Sequence, residues 1–411
     1  MSIQFLVILV PVVLGMMGFA IDLGRIYLIR GELNQAASAM ALAAAARLNG
    51  TTGAPDVADA AARVTLDNTL TDGNKYNFGS LIVGDSSGLL SGTITAPAYF
   101  AGAAEAVTAL GQTSIASTAD GTTARHATIN LTATAPLLFW GLLSLGQSRT
   151  TLIAASAVAG VSAPVCTACG VEPFAVTVTS TTDVLDFGLT KGSLYTLGMQ
   201  CNGAPAGPAA ALAGTAGRFT YNIIDRYDTG AAFTEFQQLY RSGAQGLAPS
   251  ANQALACARI GSVETTWATV VPRACAIAAA RTDSVPYALC GVSTRLSDAA
   301  PAACQAANEL TTLAPAYTQD PDSTYVADYP TYQGNNRRLM TLPIVDSTLT
   351  VLGFRQFLLE PNDVAGTLNN PTDADGRFVV QYLGVVAPVK QGRMDGSCGV
   401  TTGPGKVVLH Q

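Results

Sequence analysis

The sequence predicts an α+β protein in which one long N-terminal helix crosses a membrane and then lies on an antiparallel sheet. A disulfide-rich α+β or mainly β domain follows. Three observations predict this class. The stretch Ile3–Ile21 contains no charged residue and is long enough to span a bilayer as a helix. An Ala-rich helical pattern continues from it to Ala46, and all eight cysteines lie beyond that pattern.

The apolar stretch Ile3–Ile21 has two other interpretations. A cleaved signal peptide carries basic residues before a shorter apolar core of about 7–15 residues. Here no Lys or Arg precedes Arg25 and the apolar stretch is longer. A buried helix of a soluble core usually includes polar residues in a window of this length. A retained membrane helix is therefore the favoured interpretation.

The orientation of the membrane helix is predicted from opposing signals. Arg25 and Arg30 follow the apolar stretch, which by the positive-inside rule would place the body of the protein in the cytoplasm. An even number of cysteines in a body of low charge instead indicates disulfides and an oxidising compartment. We give the cysteines more weight and predict a single-pass protein of the inner membrane. Its body would lie in the periplasm or on the cell surface.

The composition fits an exported body and excludes some functions. Charged residues make up 12% of the chain, about half of the usual share of roughly 25%. The 40 Gly and 20 Pro indicate many turns. A net charge of −6 provides no basic surface for phosphates, so nucleic-acid binding is not expected.

The chain is predicted to divide into three parts: the helix over 1–48, a β-rich unit over 49–162 that packs on it, and a Cys-rich domain over 163–411. Alternating β-branched residues predict strands, and a short amphipathic pattern predicts a helix at Asp56–Leu70. The short apolar run Pro136–Leu143 is predicted to be a buried hairpin or helical turn. Strands are expected at Arg125–Ala133, Thr150–Val161, Pro173–Thr179 and Arg377–Val386, and helical pieces at Thr234–Arg241 and Ala251–Ala258.

Three motifs resemble chemical sites, and none is predicted to act as one. Gly84–Gly88 satisfies the G-x-S-x-G pattern of serine hydrolases, but no helix pattern follows it and no convincing histidine base exists. Asp320–Asp322 and Asp373–Gly376 are acidic, yet solvated turns explain them better than a calcium loop. No catalytic residue, cofactor site, metal ligand or small-molecule substrate is predicted.

The cysteines are predicted to form structural disulfides. Cys166 and Cys169 have the C-x-x-C spacing, but Pro173 argues against the helix that a redox motif needs, and a second pair of zinc ligands is missing. A local bridge between these two cysteines is one expectation, and Cys257–Cys275 and Cys290–Cys304 are others. The candidates are Cys166, Cys169, Cys201, Cys257, Cys275, Cys290, Cys304 and Cys398.

Four segments of the helix resemble a known family: Pro11–Gly15, Ala20–Tyr27, Gln35–Ala37 and Ala41–Ala45. They are similar to the N-terminal module of the TadE/TadG-like proteins of the tight-adherence (Flp) pilus assembly system. Ser38 stands where that family usually has Asp. The resemblance covers about 50 residues and implies a pilin-like helix laid on a sheet. It also implies the membrane and other pilin-like subunits or pilus-assembly proteins as partners.

Several residues of the helix are candidates for assembly or packing. Asp22, Arg25 and Arg30 either mark the membrane surface or form an ion pair, within the helix or with a neighbouring subunit. The Ala-rich stretch allows close packing, either on another subunit or on the protein's own sheet. Its candidate residues are Ala36, Met40, Ala43 and Ala44.

The predicted function is that of a non-enzymatic, membrane-anchored structural or assembly component of a Tad/Flp-type pilus or related envelope machine, of the minor pilin or pseudopilin type. The alternative is a membrane-tethered adhesin or binding protein whose Cys-rich domain recognises a ligand. An assembly component should require its helix, whereas an adhesin should tolerate a different anchor. An envelope hydrolase lacks a credible base.

Overall fold

The computed structural model describes residues 2–65, 91–112, 116–137, 139, 150–169, 171–172, 174–178, 180–199, 210–225, 257–261, 264–265, 268–271, 292–293, 295–296, 319–324, 328–361, 376–394 and 398–410. These residues form two compact units. The N-terminal unit consists of Met1–Val161 together with Val407–Gln411. The inserted unit consists of Ser162–Lys406.

The elements follow the chain in this order. The helices are α1 (Ser2–Ala45), α2 (Ala54–Val64) and α3 (Ala103–Thr108). The strands are β1 (Ser91–Ile94), β2 (Ala98–Phe100), β3 (His126–Pro136), β4 (Thr150–Val161), β5 (Thr167–Cys169), β6 (Phe174–Thr177), β7 (Leu194–Met199), β8 (Arg218–Asp225), β9 (Cys257–Arg259), β10 (Glu264–Thr265), β11 (Ala268–Val271), β12 (Leu339–Val345), β13 (Val351–Leu359), β14 (Phe378–Gly384), β15 (Gln391–Arg393) and β16 (Val407–His410).

The N-terminal unit is the predicted long helix on an antiparallel sheet, which confirms the α+β class for this part of the chain. The sheet has the order β1-β3-β4-β16, and β2 also pairs with β3. Alternate residues of β3 and β4 face α1 because successive side chains of a strand point to opposite faces. Those facing residues are mostly alanines, at positions 127, 133 and 135 of β3 and 155, 157 and 159 of β4. Small side chains on both surfaces let the helix lie close to the sheet.

Local patterns placed several elements well. Strand β4 has the predicted bounds, and β3 runs three residues past the predicted end at Ala133. Helix α2 begins near the predicted start, with Pro55 in its first turn. The prediction missed the short helix α3. Helix α3 has six residues and buries Ala106 on the face of the sheet away from α1. So short a helix shows little helical periodicity in the sequence.

The inserted unit is mainly β among the described residues. The pairings run β8-β6-β12-β13-β14-β7 and then return from β7 to β8, so these strands close into a barrel. Its interior is filled by large side chains such as Phe174, Tyr221, Phe357 and Phe378. Aromatic rings meet edge to face there, with 5.1 Å between the centroids of Phe174 and Tyr221. A separate three-stranded sheet has the order β15-β5-β9.

Two boundaries differ from the predictions. Val407–Gln411 belong to the N-terminal unit, not to the domain predicted over 163–411, because β16 pairs with the end of β4. The helix predicted at Ala251–Ala258 is wrong at Ala258, which lies in β9 opposite Ala168. The rest of that stretch and the predicted helix at Thr234–Arg241 lie outside the described residues.

Candidate functional site: the N-terminal helix

Helix α1 changes character along its length. Between Leu6 and Met17 the described side chains are mostly more than 40% exposed, from 45% at Val10 to 71% at Met16. From Gly18 onward one face is buried at every third or fourth residue, including Ile29, Leu33 and Met40. That spacing is the period of a helix with one face on a sheet. We call the residues of α1 before Gly18 its bare part and the residues from Gly18 onward its packed part.

Asp22 and Arg25 hold the chain that follows β3. The carboxylate of Asp22 is buried and accepts a hydrogen bond from the backbone N–H of Phe139, with Oδ2 and N 2.9 Å apart. The guanidinium of Arg25 donates from Nη1 to the carbonyl oxygen of Pro136 at 3.4 Å. The sequence predicted that these residues either mark the membrane surface or form an ion pair. The structure adds contacts within the subunit, at the point where the helix becomes packed.

Arg30, the third charged candidate, is exposed and lines an open groove with Asn34, Gln112 and Asn130. Arg30 lies about 100° around the helix axis from its buried neighbour Ile29. Arg30 is therefore neither part of the core between helix and sheet nor part of the buried face of α1. Arg30 remains a candidate for contacts with groups outside the subunit.

The packing candidates separate into two groups. Ala36, Met40 and Ala44 are 8%, 0% and 0% exposed and lie in one core cluster with side chains of β3 and β4 such as Ile129. Ala43 is partly exposed and is outside that cluster. Of the two predicted alternatives, packing on the protein's own sheet therefore applies to Ala36, Met40 and Ala44. Alanines at alternate positions of β3 and β4 are the sequence pattern that indicates this interface.

Gly18 lies where the bare and packed parts of α1 meet, directly beneath Phe139. A Cβ atom at Gly18 would stand 2.6 Å from the Cβ atom of Phe139, closer than packed carbon atoms approach. Gly24, less than two turns further along the helix, has no atom within 4 Å of such a position. The absence of a side chain at Gly18 thus lets the segment after β3 approach the helix.

We expect Gly18→Ala to lower the stability of the N-terminal unit although alanine favours helix formation. The added methyl group must displace Phe139 and weaken its hydrogen bond to Asp22. In Gly24→Ala the same change meets no neighbour, so only the helix propensity acts, a gain of about 1 kcal/mol. Thermal unfolding of the full chain in detergent should rank Gly24→Ala at or above the parent protein and Gly18→Ala below it. A Gly18→Ala protein as stable as Gly24→Ala would contradict this packing.

The predicted acidic turns have a structural explanation. Asp320 is only 1% exposed, so the solvated turn predicted there is wrong. Its carboxylate accepts hydrogen bonds from the Tyr332 hydroxyl and from the backbone N–H groups of Asp322 and Arg337. Asp322 accepts from the hydroxyl of Thr324 at 2.6 Å. These carboxylates therefore order a turn. Gly84–Gly88 and most of Asp373–Gly376 lie outside the described residues.

The described cysteines are structural, and the local bridge expected between Cys166 and Cys169 is wrong. Cys166 is bonded to Cys398, with 5.6 Å between their Cα atoms, across 232 positions of sequence. Cys169 is also disulfide-bonded and stands opposite Cys257 in the β5–β9 pairing. Strand β15 pairs with β5, which brings the chain near Cys398 back to Cys166. Cys201, Cys275, Cys290 and Cys304 lie outside the described residues.

One protein family matches this chain at its N-terminus. Residues 2–47 match the family described as putative Flp pilus-assembly TadE/G-like. No curated protein and no solved structure matches the chain. By length and composition, α1 can cross a membrane, and among the described residues it is the one helix that can. The matched residues cover the bare part of α1 and its packed part through Met40 and Ala44. Over residues 2–47, the chain is therefore similar to the Flp pilus-assembly TadE/G-like family.

Proposed function

We propose that this protein is a membrane-anchored structural component of a Flp-type pilus or a related envelope machine, of the minor pilin or pseudopilin type. It acts by holding its inserted unit at the membrane and by packing with other subunits through α1, not by catalysis. The family match at residues 2–47 supports a role in a Flp-type pilus or a related envelope machine. The bare apolar part of α1 is the observation that carries the anchoring role.

The dimensions of the bare part support a membrane span. Ser2–Met17 rises about 24 Å at about 1.5 Å per residue, somewhat less than a hydrocarbon layer of about 30 Å. Exposed apolar side chains continue along the helix at Phe19 and Ile21, which are 50% and 47% exposed. Lipid would then extend to the level of Asp22, whose carboxylate accepts a hydrogen bond from the backbone N–H of Phe139. The packed part of the helix begins where the span ends.

The disulfides support an exported body. Cys166–Cys398 joins distant parts of the inserted unit, and such bridges persist in oxidising compartments. The bridge supports the proposal that, in a single-pass protein of the inner membrane, the inserted unit lies in the periplasm or on the cell surface. The partners are the membrane and other pilin-like subunits. The free side of α1 beyond the span, with Tyr27 68% and Leu28 55% exposed, is the surface offered to such a subunit.

The test removes only the bare part of α1. Deleting residues 1–48 would also remove the core residues Ile29, Leu33 and Met40 and would unfold the N-terminal unit. A chain in which Gly18 directly follows the initiating Met keeps them. We expect the full chain to sediment with membranes and to resist high-salt and carbonate washes, and the shortened chain to stay in solution. A full chain found in the soluble fraction, or a shortened chain that still resists carbonate, would overturn the anchoring role.

A second variant separates an assembly component from an adhesin. Residues 2–17 are replaced by an unrelated apolar helix of equal length, and the exposed Tyr27 and Leu28 by serine. The anchor and the buried face of the packed part both remain, but the surfaces offered to another subunit are changed. An assembly component whose span packs against other subunits should lose pilus-dependent attachment at unchanged abundance. Full attachment with the foreign span would favour the adhesin alternative.

A further inference from the structure

The chain contains two histidines, and the fold brings them together. His126 begins β3 and His410 ends β16, yet their ring centroids are 5.1 Å apart and the rings meet edge to face at 64°. Their encounter is a product of tertiary structure, because the whole inserted unit lies between them in sequence.

The strand register explains the encounter. His126 stands opposite Gly160 of β4, and His410 stands opposite Val158 of the same strand. Opposite residues of antiparallel strands share a face, and positions two apart on a strand share it too. Both rings therefore lie on the face of the sheet away from α1. The ring of His126 occupies the space over Gly160, where a methyl group would overlap its Cδ2 atom.

Each ring has one nitrogen atom that makes no hydrogen bond. Nδ1 of His126 and Nε2 of His410 are buried and have no hydrogen-bond partner, and His126 as a whole is 7% exposed. Buried polar atoms in native proteins are nearly always satisfied, so an orphan nitrogen on each of two touching rings requires an explanation. A half-turn of the His126 ring exchanges the positions of Nδ1 and Cδ2. It thereby brings Nδ1 over Gly160, towards β16.

The separation of the two rings suits a shared metal ion. Burial lowers the pKa of His126, and the neighbouring His410 and Arg125 lower it further. Neutral imidazole is the form that binds metals. Two imidazoles bound to one tetrahedral Zn²⁺ through Zn–N bonds of about 2.0–2.1 Å hold their centroids about 5 Å apart, close to the separation seen here.

We propose that His126 and His410 form a binding site for one divalent transition-metal ion of the imidazole-preferring class, such as Zn²⁺ or Ni²⁺. The part of the chain that the structure describes offers no third His, Cys, Asp or Glu side chain for such a group. Water completes the coordination on the half-buried side of His410. The bound ion ties β16 to β3 across β4, and so fixes the last strand of the N-terminal unit to its sheet.

The full chain in detergent, with its free thiols alkylated and its disulfides intact, is titrated with ZnSO₄. The protein carries ¹⁵N-labelled histidine, so its ring spectrum contains signals from two residues only. We expect both sets of ring signals to shift together and to saturate at one Zn²⁺ per chain, with a rise in the Tm of the N-terminal unit. EDTA should reverse both effects.

Single variants identify the ligands. His126→Gln and His410→Gln should each abolish the stoichiometric binding and the rise in Tm. Leu409→Gln, a matched change on β16 at a 41% exposed side chain, should keep both. Should His126→Gln fail to fold, His410→Gln at the half-buried position still decides the point. Binding that persists in both histidine variants, or histidine signals that do not move at saturating Zn²⁺, would overturn the proposal.

Discussion

Replacing Cys398 by serine is expected to lower the free energy of unfolding of the inserted unit by about 2–5 kcal/mol. The bridge to Cys166 closes a loop of 232 positions, so its loss frees a large part of the unfolded chain. It also fixes two segments that have little regular structure of their own. Cys166 directly precedes the three-residue strand β5, and Cys398 lies five residues beyond the three-residue strand β15. Short strands of this kind depend on such a link.

Denaturant unfolding of the Cys398→Ser protein under non-reducing conditions measures the loss. Thiol labelling of the denatured, unreduced variant should find one more free thiol per chain than in the parent protein. The Cys166→Ser/Cys398→Ser double variant is the control, because it removes the bond without leaving a lone thiol. Equal losses in the single and double variants assign the effect to the bond. An unchanged unfolding midpoint in both would contradict a structural role for this disulfide.

Ala44→Leu should destabilise the N-terminal unit by about 1–3 kcal/mol, because Ala44 is fully buried and extra methylene groups overfill a closely packed interface. Ala43, the adjacent residue, is partly exposed and lies outside the helix–sheet core. Ala43→Leu should therefore change the stability little. Arg47→Leu, at an exposed position past the end of α1, is the control for added apolar surface.

The same three variants test where α1 meets other subunits. Each is introduced singly, and pilus-dependent surface attachment is measured together with protein abundance. Ala44→Leu should lower abundance, since the subunit itself is weakened. Ala43→Leu should lower attachment at normal abundance if the free side of the helix packs against a neighbour. Equal effects at all three positions would mean that this part of the helix has no packed face.

The sequence by itself determined the elements whose signal is local. The uncharged stretch Ile3–Ile21, the alternation over Thr150–Val161 and the apolar run within Arg377–Val386 each contain their whole pattern in adjacent residues. A long helix, strand β4 and strand β14 follow from these patterns. The resemblance at residues 2–47 is local in the same way. Periodicity expresses which face of an element is buried, and it needs no knowledge of the partner.

Only the tertiary structure decided which distant residues meet. Asp22 with Phe139, Cys166 with Cys398, and His126 with His410 are contacts between parts of the chain that no local pattern links. The return of β16 to the first sheet, after the whole inserted unit, creates the last of these. The sequence predicted that the alanines of α1 pack closely, but it did not decide which surface they contact. In the structure that surface is formed by the alanines of β3 and β4. The physical reason is that strand pairing and side-chain burial are satisfied by any complementary surface. The chain's path through space selects which one.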